Sequence, residues 1–224
     1  MIGLFFKVKW FLFREAREVK KHYPFFAPWN KAFNRAYRFA NPYRICRNYL
    51  KKKGASDIHQ YGETPLPVYA RIAEECALAP EDYWIELGCG RGKGSCFIRA
   101  LTGCRVKAVD WIPQFICIAQ GIAEKDAHSK MTFSCEDMLQ TDLSGATAIY
   151  LFGTCLEESV IQHLCERLRR LPPSTEIITV SYPLNDYDPT FVVRKQFLVQ
   201  FPWGTTEIYI QRQLPHQSIP FTSA

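Results

Sequence analysis

The chain has 224 residues, enough to fill one sizeable core, and its 47% hydrophobic and 22% charged composition excludes a disordered or collagen-like polymer. Nine cysteines, an odd number with no C-x-x-C pair and no histidine at zinc-ligand spacing, argue against a disulfide framework and against a metal site. A reducing, cytoplasmic setting is therefore expected, with a peripheral position at a membrane left open. The net charge of +6 is unevenly spread: residues 1–53 carry 14 Lys+Arg against only Glu15 and Glu18, a +12 segment joined to a −6 remainder. Such a segment suits an acidic partner, an anionic membrane surface or the acidic face of its own domain.

Residues 1–13 are apolar but interrupted by Lys7 and Lys9, and they fall short of the ~20 residues a spanning helix needs. The lysines, and Arg14-Glu15-Ala16-Arg17 after them, also argue against a cleaved signal peptide. In residues 14–53, Phe26, Trp29, Phe33 and Tyr37 step by three and four and share one helical face, while Pro24, Pro28 and Pro42 divide the region into short helices. An aromatic stripe of this kind most often packs on its own domain; lying on an anionic membrane and stacking on single-stranded bases are the alternatives. As a separate docking segment it would be removable without loss of the rest. Lys51-Lys52-Lys53-Gly54 reads as an exposed boundary. The expected division is a basic helical segment over residues 1–60, a catalytic domain over 61–213 and a tail over 214–224.

Beyond the boundary, helix and strand signals alternate. A helix is predicted over 65–78, a strand over 83–87, a helix over 95–101 and a strand over 105–109 ending in Asp110. A helix over 112–125 follows, then strands over 131–135 and 146–152, a helix over 157–170 and a strand over 176–182. Segments 191–201 and 205–213, joined at Pro202-Trp203-Gly204, read as a long antiparallel hairpin. The fold class is therefore α/β: a doubly wound, mostly parallel seven-stranded sheet ending in an antiparallel hairpin, with a helical basic amino-terminal segment.

Glu86-Leu87-Gly88-Cys89-Gly90-Arg91-Gly92-Lys93-Gly94 closes the first strand and opens a helix, where glycine lets the backbone approach a ligand closely. A dinucleotide fingerprint fails because the sixth position from Gly88 is Lys93, and a Walker A loop fails because Gly94 stands where Ser or Thr is required. An acid two places before G-x-G-x-G resembles the class I S-adenosylmethionine-dependent methyltransferases. The resemblance implies S-adenosyl-L-methionine as cofactor: Glu86 helps hold its ammonium, the backbone of Gly88, Cys89, Gly90 and Gly92 lines its bed, and Asp110 with Trp111 meets the ribose. It also implies that Asp137 meets the adenine amino group while Met138 packs the ring. The alternative reading of Asp137 is an ordinary cap of a short helix.

Tyr61-Gly62-Glu63-Thr64, before the helix and the glycine loop, is similar to the loop that closes over the methionine end of the cofactor in non-SET histone-type lysine methyltransferases. Tyr61, Glu63 and Thr64 would then touch the cofactor. That family carries Asn after the fourth strand, whereas this chain has Phe152-Gly153-Thr154, closer to the F-G turn of membrane-associated lysine methyltransferases of mitochondrial type. The resemblance implies methyl transfer to a protein lysine, with Tyr61 and Phe152 as catalytic residues and Tyr182 and Trp203 as further walls of an acceptor channel. A small-molecule or RNA acceptor, or a cofactor-binding scaffold without turnover, are the rival readings. No covalent enzyme intermediate and no metal is required; alignment of donor and acceptor carries most of the rate.

Overall fold

The computed structural model describes residues 2–55, 57–125 and 130–214, with side chains from Lys7 onward. Met1 and all of the expected tail after Leu214 lie outside the described residues. Seven strands form one sheet: β1 (Tyr83–Leu87), β2 (Arg105–Asp110), β3 (Met131–Cys135), β4 (Ala148–Leu151), β5 (Glu176–Val180), β6 (Phe191–Phe201) and β7 (Gly204–Gln213), in the order β3-β2-β1-β4-β5-β7-β6. The first five run parallel, and β7 lies antiparallel between β5 and β6. Strand order therefore reverses at β1, which pairs with β2 on one side and β4 on the other, and a crevice at the carboxyl ends of such strands is where ligands of this architecture bind. The expected seven-stranded sheet with its hairpin is present. The fourth and fifth strands are shorter than predicted, so Phe152 begins a loop at the rim instead of ending a strand.

Helix α1 (Ile2–His22) and a 3-10 turn (Pro24–Phe26) lead into α2 (Ala27–Ala36) and α3 (Pro42–Lys52). The three prolines start these elements, where the missing N–H costs nothing, and the Asn41 side chain caps α3 by accepting from Arg44 N at 3.3 Å. Helices α4 (Leu66–Glu75), α5 (Lys93–Thr102) and α6 (Pro113–Ala123) cover one sheet face, and α7 (Glu158–Leu168) covers the other. The covering is unequal because β3 reaches β4, and β5 reaches β6, without an α-helix between them. Leu143, Leu184 and Phe191 fill the second face in place of those helices.

The aromatic stripe packs on the chain's own domain. Phe26 meets Phe97 edge to face at 5.1 Å, Tyr37 approaches Phe115 at 6.4 Å, and Phe33 is fully buried, while Trp29 is half-buried. Val19, Phe26, Phe33, Tyr37 and Cys46 belong to the same core as Trp84, Phe97, Phe115 and Tyr150. Burial of each large aromatic stabilises the fold by roughly 2–3 kcal/mol. Among the described residues no helix is long and apolar enough to cross a membrane.

Candidate active site

The bend after β1 turns on three left-handed glycines, Gly88 (φ 80°), Gly90 (φ 54°) and Gly92 (φ 73°), a conformation that penalises any residue with a Cβ. At Gly92 a Cβ would also sit 2.5 Å from Phe133 Cε1, and at Gly94, one residue into α5, 2.2 Å from Tyr69 Cζ. These two glycines admit close packing beneath the bend, whereas Gly88 and Gly90 face Met138 and Tyr61 across it. Gly88 N and Cys89 N both donate to Val109 O, at 2.9 and 2.8 Å, which ties the bend to the end of β2. Cys89 is buried and burial pushes its thiol well above the usual range, so it serves as packing and not as a nucleophile.

Asp110, at the end of β2, holds the bend from the far side. Its Oδ2 accepts from Gly90 N at 2.8 Å and its Oδ1 from Ile112 N at 2.9 Å. Burial pushes its carboxyl up to about 6 despite these donors. Trp111 beside it is 54% exposed. Asp137 Oδ1 accepts from Leu139 N at 2.8 Å, the local cap allowed for in the sequence, and Met138 Cε lies 3.7 Å from where a Cβ of Gly88 would be. Asp110, Trp111, Asp137 and Met138 thus form an open rim on one flank of the bend.

Glu86 is buried in β1, and each of its oxygens already accepts one hydrogen bond: Oε1 from Tyr69 Oη at 2.5 Å and Oε2 from Ser95 Oγ. Burial pushes this carboxyl up to about 7, with both hydroxyls opposing the shift. Its negative charge is available only to a ligand that supplies a compensating positive one. Tyr69 and Ser95 carry no local sequence signal for this task; only their spacing on α4 and α5, seen after folding, brings them to Glu86.

On the other flank, the Tyr61 ring covers Gly90 and is clamped by Tyr43 at 5.0 Å and Phe115 at 5.3 Å. Its hydroxyl donates to Glu63 Oε1 at 2.5 Å, and Arg91 pairs with Glu63 Oε2 at 2.6 Å. Tyr61 therefore positions Glu63 and latches residues 61–64 onto the glycine bend through Arg91. Thr64 does not cap α4; its hydroxyl shares a 2.5 Å hydrogen bond with Tyr150 Oη, and the Leu66 N–H of α4 is instead met by Glu15 of α1 at 3.0 Å. Gly62 lies against Phe152, which stacks on Phe201 at 5.8 Å and lies 5.9 Å from Trp203.

A cavity of about 740 Å³ opens between these parts. Gly88, Cys89, Gly90, Glu86, Glu63, Thr64 and Phe152 line it, and so do Glu15, Tyr37, Arg38, Tyr43, Arg44, Arg91 and Lys93. Tyr61, Gly92, Asp110, Trp111, Asp137, Met138, Tyr182 and Trp203 do not line it. Tyr182 turns toward the second core, 5.7 Å from Tyr187, and with Leu156 fills the space a side chain at 153 would take: a Cβ on Gly153 would lie 2.6 Å from Tyr182 Oη. That accounts for glycine where the resembled lysine enzymes carry asparagine. Among the described residues no cluster of His, Cys, Asp or Glu is arranged to hold a metal ion.

The strand order, the reversal at β1 and the glycine bend are those of a doubly wound, Rossmann-like fold. Solved structures similar to it include an RNA methyltransferase from Salinibacter ruber in complex with S-adenosyl-L-homocysteine, at 22% identity and a TM-score of 0.57, over 73% of this chain and 100% of that one. The magnesium protoporphyrin IX methyltransferase of Synechocystis PCC 6803 with bound S-adenosylmethionine matches at 14% identity and 0.55, over 77% and 97%. The [4+2]-cyclase SpnF matches at 12% identity and 0.55, over 72% and 84%. At such identities the likeness concerns the fold, and the cyclase demonstrates that one fold serves different reactions. No family model and no curated protein sequence matches the chain.

Proposed function

We propose that the protein is an S-adenosylmethionine-dependent methyltransferase. The observation that carries this reading is the pairing of Asp110 with the left-handed glycine bend: one carboxylate oxygen fixes Gly90 N, and the residue closes the neighbouring strand where ribose hydroxyls would donate to it. Asp110, Met138 and Asp137 would hold the adenosine along the rim, Met138 packing its ring and Asp137 meeting its amino group. Gly88 and Glu86 would hold the methionine end in the cavity, with Glu86 facing its ammonium. The reaction is a direct displacement at the sulfonium methyl, and the chain's part is to align the acceptor and exclude water.

For the acceptor, the cavity supports a neutral or anionic group, small-molecule or RNA in kind, ahead of a protein lysine. Arg38, Arg44, Arg91 and Lys93 line it against Glu63, Glu15 and the ligand-directed Glu86, and burial pushes the Glu15 carboxyl up and the Lys93 amine down. An incoming lysine ammonium would meet this cationic wall before it could lose its proton. Methyl-labelled cofactor incubated with the protein and separate protein, RNA and small-molecule fractions tests both levels. Label in RNA or small molecules is expected; label in protein that survives RNase restores the lysine reading. Tight cofactor binding with no transfer into any fraction favours a scaffold, and absence of cofactor binding ends the proposal.

A further inference from the structure

One face of α1 is unaccounted for by the fold or by the proposed reaction. Val19 of this helix is buried, and Val8, Phe11 and Glu15, at helical spacing from it, are half-buried toward the domain. Trp10, Phe13, Arg14 and Arg17 fall at i, i+3, i+4 and i+7 and share the opposite face. There Trp10 is 61% and Phe13 60% exposed, each with a guanidinium over its ring: Arg14 at 4.6 Å from the Trp10 centroid and Arg17 at 6.0 Å from that of Phe13. Lys7, Lys20 and Lys21 are exposed on the same helix, while the two acids differ: Glu15 is turned inward to cap α4, and only Glu18 reaches solvent.

We infer that α1 docks this protein on an anionic lipid surface, lying in the plane of the interface with Trp10 and Phe13 in the acyl boundary and the flanking arginines and lysines at the phosphates. A helix this amphipathic, with large aromatics at its exposed centre and cations around them, matches a headgroup layer on both counts. Single-stranded nucleic acid is the poorer fit. Base stacking is favoured by open ring faces, and here a guanidinium already stands over one face of each ring. The inner side of the same helix contributes Leu12, Glu15, Ala16 and Val19 to the cavity wall, so docking would set the cavity about one helix diameter, ~10 Å, from the lipid.

Co-sedimentation of the full chain with vesicles tests the inference. Binding to phosphatidylcholine vesicles containing phosphatidylserine is expected to exceed binding to phosphatidylcholine alone by on the order of tenfold, and to weaken as salt is raised. The double variant Trp10→Ser with Phe13→Ser, and separately Arg14→Gln with Arg17→Gln, should each lower binding several-fold. Because these side chains are exposed, the melting temperature and cofactor affinity of both variants should match the parent. Equal binding to both vesicle types, no binding to either, or variants that bind as the parent does would overturn the inference. So would an outcome in which the double variants lose single-stranded RNA binding or self-association while vesicle binding is untouched.

Discussion

On one flank of the glycine bend stand Asp110, Trp111, Asp137 and Met138, each placed within three residues of a strand's carboxyl end and half-buried apart from the exposed Trp111. On the other flank Glu15, Tyr37, Tyr43, Glu63, Tyr69 and Arg91 arrive from α1, α2 and its C-cap, α3, the loop before α4, α4 itself and the bend, and close a cavity. The first flank is specified by local spacing, because a strand end delivers the next residue to a fixed place. The second is specified by contacts between residues far apart in sequence, such as Glu15 with Leu66 and Thr64 with Tyr150. A ligand that spans the bend is therefore held by a generic half and by a half particular to this chain, and the particular half is where acceptor choice should reside.

The largest test of that division is removal of residues 1–53. A separable docking segment would leave the sheet and the rim intact. Phe26, Phe33 and Tyr37, however, share one core with Phe97 and Phe115, and their loss would bare rings now at zero exposure. The truncated chain is expected to show no cooperative thermal transition by circular dichroism, since several large aromatics at roughly 2–3 kcal/mol each exceed the usual margin of stability. A truncated protein that melts cooperatively and still binds cofactor would make the second flank an accessory.

Next in size is Gly94→Ala. The added methyl would meet Tyr69 at 2.2 Å, and Tyr69 cannot withdraw without releasing Glu86. Overpacking of this kind costs about 1–3 kcal/mol, or a fall in melting temperature of roughly 3–10 °C. Gly121→Ala, with open space around its Cβ, is the control and should melt at or above the parent temperature. Equal melting of the two variants would mean that α4 gives way freely and that Tyr69 does not fix Glu86.

These cases indicate what was legible in the sequence. The seven strands and the closing hairpin follow from alternation and turn chemistry, whereas the reversal at β1 and the left-handed backbone of three glycines appear only in the fold. Tyr61 was legible as a residue near the bend, but its work was not: the ring is clamped by Tyr43, which lies in a segment that reads as basic surface. Glu86 was legible as an acid before glycines, yet its neighbours Tyr69 and Ser95 come from two helices and can be paired with it only once those helices pack. Phe152 lines the cavity, while Tyr182 and Trp203, of the same residue class at similar strand ends, do not. Side-chain direction beyond a strand end depends on what fills the neighbouring face.

A smaller effect separates the two flanks by ligand. Asp110→Ala should weaken cofactor binding tenfold or more by calorimetry, about 1.4 kcal/mol, because a buried acceptor for two hydroxyls is lost along with the tether on Gly90. Glu63→Gln keeps its shape and replaces one of the two acceptor oxygens facing Tyr61 and Arg91 by a donor, so it should alter acceptor turnover more than cofactor affinity. A larger loss of cofactor affinity from Glu63→Gln than from Asp110→Ala would reverse the assignment of the flanks.

The last expected effect is a pH dependence with a definite sign, and it is smallest where it comes from Asp110 alone. Burial raises Asp110 to about 6 and Glu86 to about 7, so in the free protein the protonated forms are favoured relative to the unfolded chain. Below the ordinary carboxyl range both states are protonated and nothing is lost; as pH climbs from 3.8 to about 7 the unfolded chain ionises first, and the free protein loses stability through these two groups. The cofactor works in the opposite direction, since hydroxyl donors at Asp110 and an ammonium at Glu86 favour the ionised forms. Affinity should therefore rise between pH 5.5 and 7.5, roughly fourfold from ionisation of Asp110 alone. In Asp110→Asn the remaining rise would belong to Glu86, and in Glu86→Gln to Asp110, so the two variants divide the effect between ribose and ammonium. Affinity that is flat with pH in the parent would mean that the ligand approaches neither carboxyl, and that the bend is occupied in some other way.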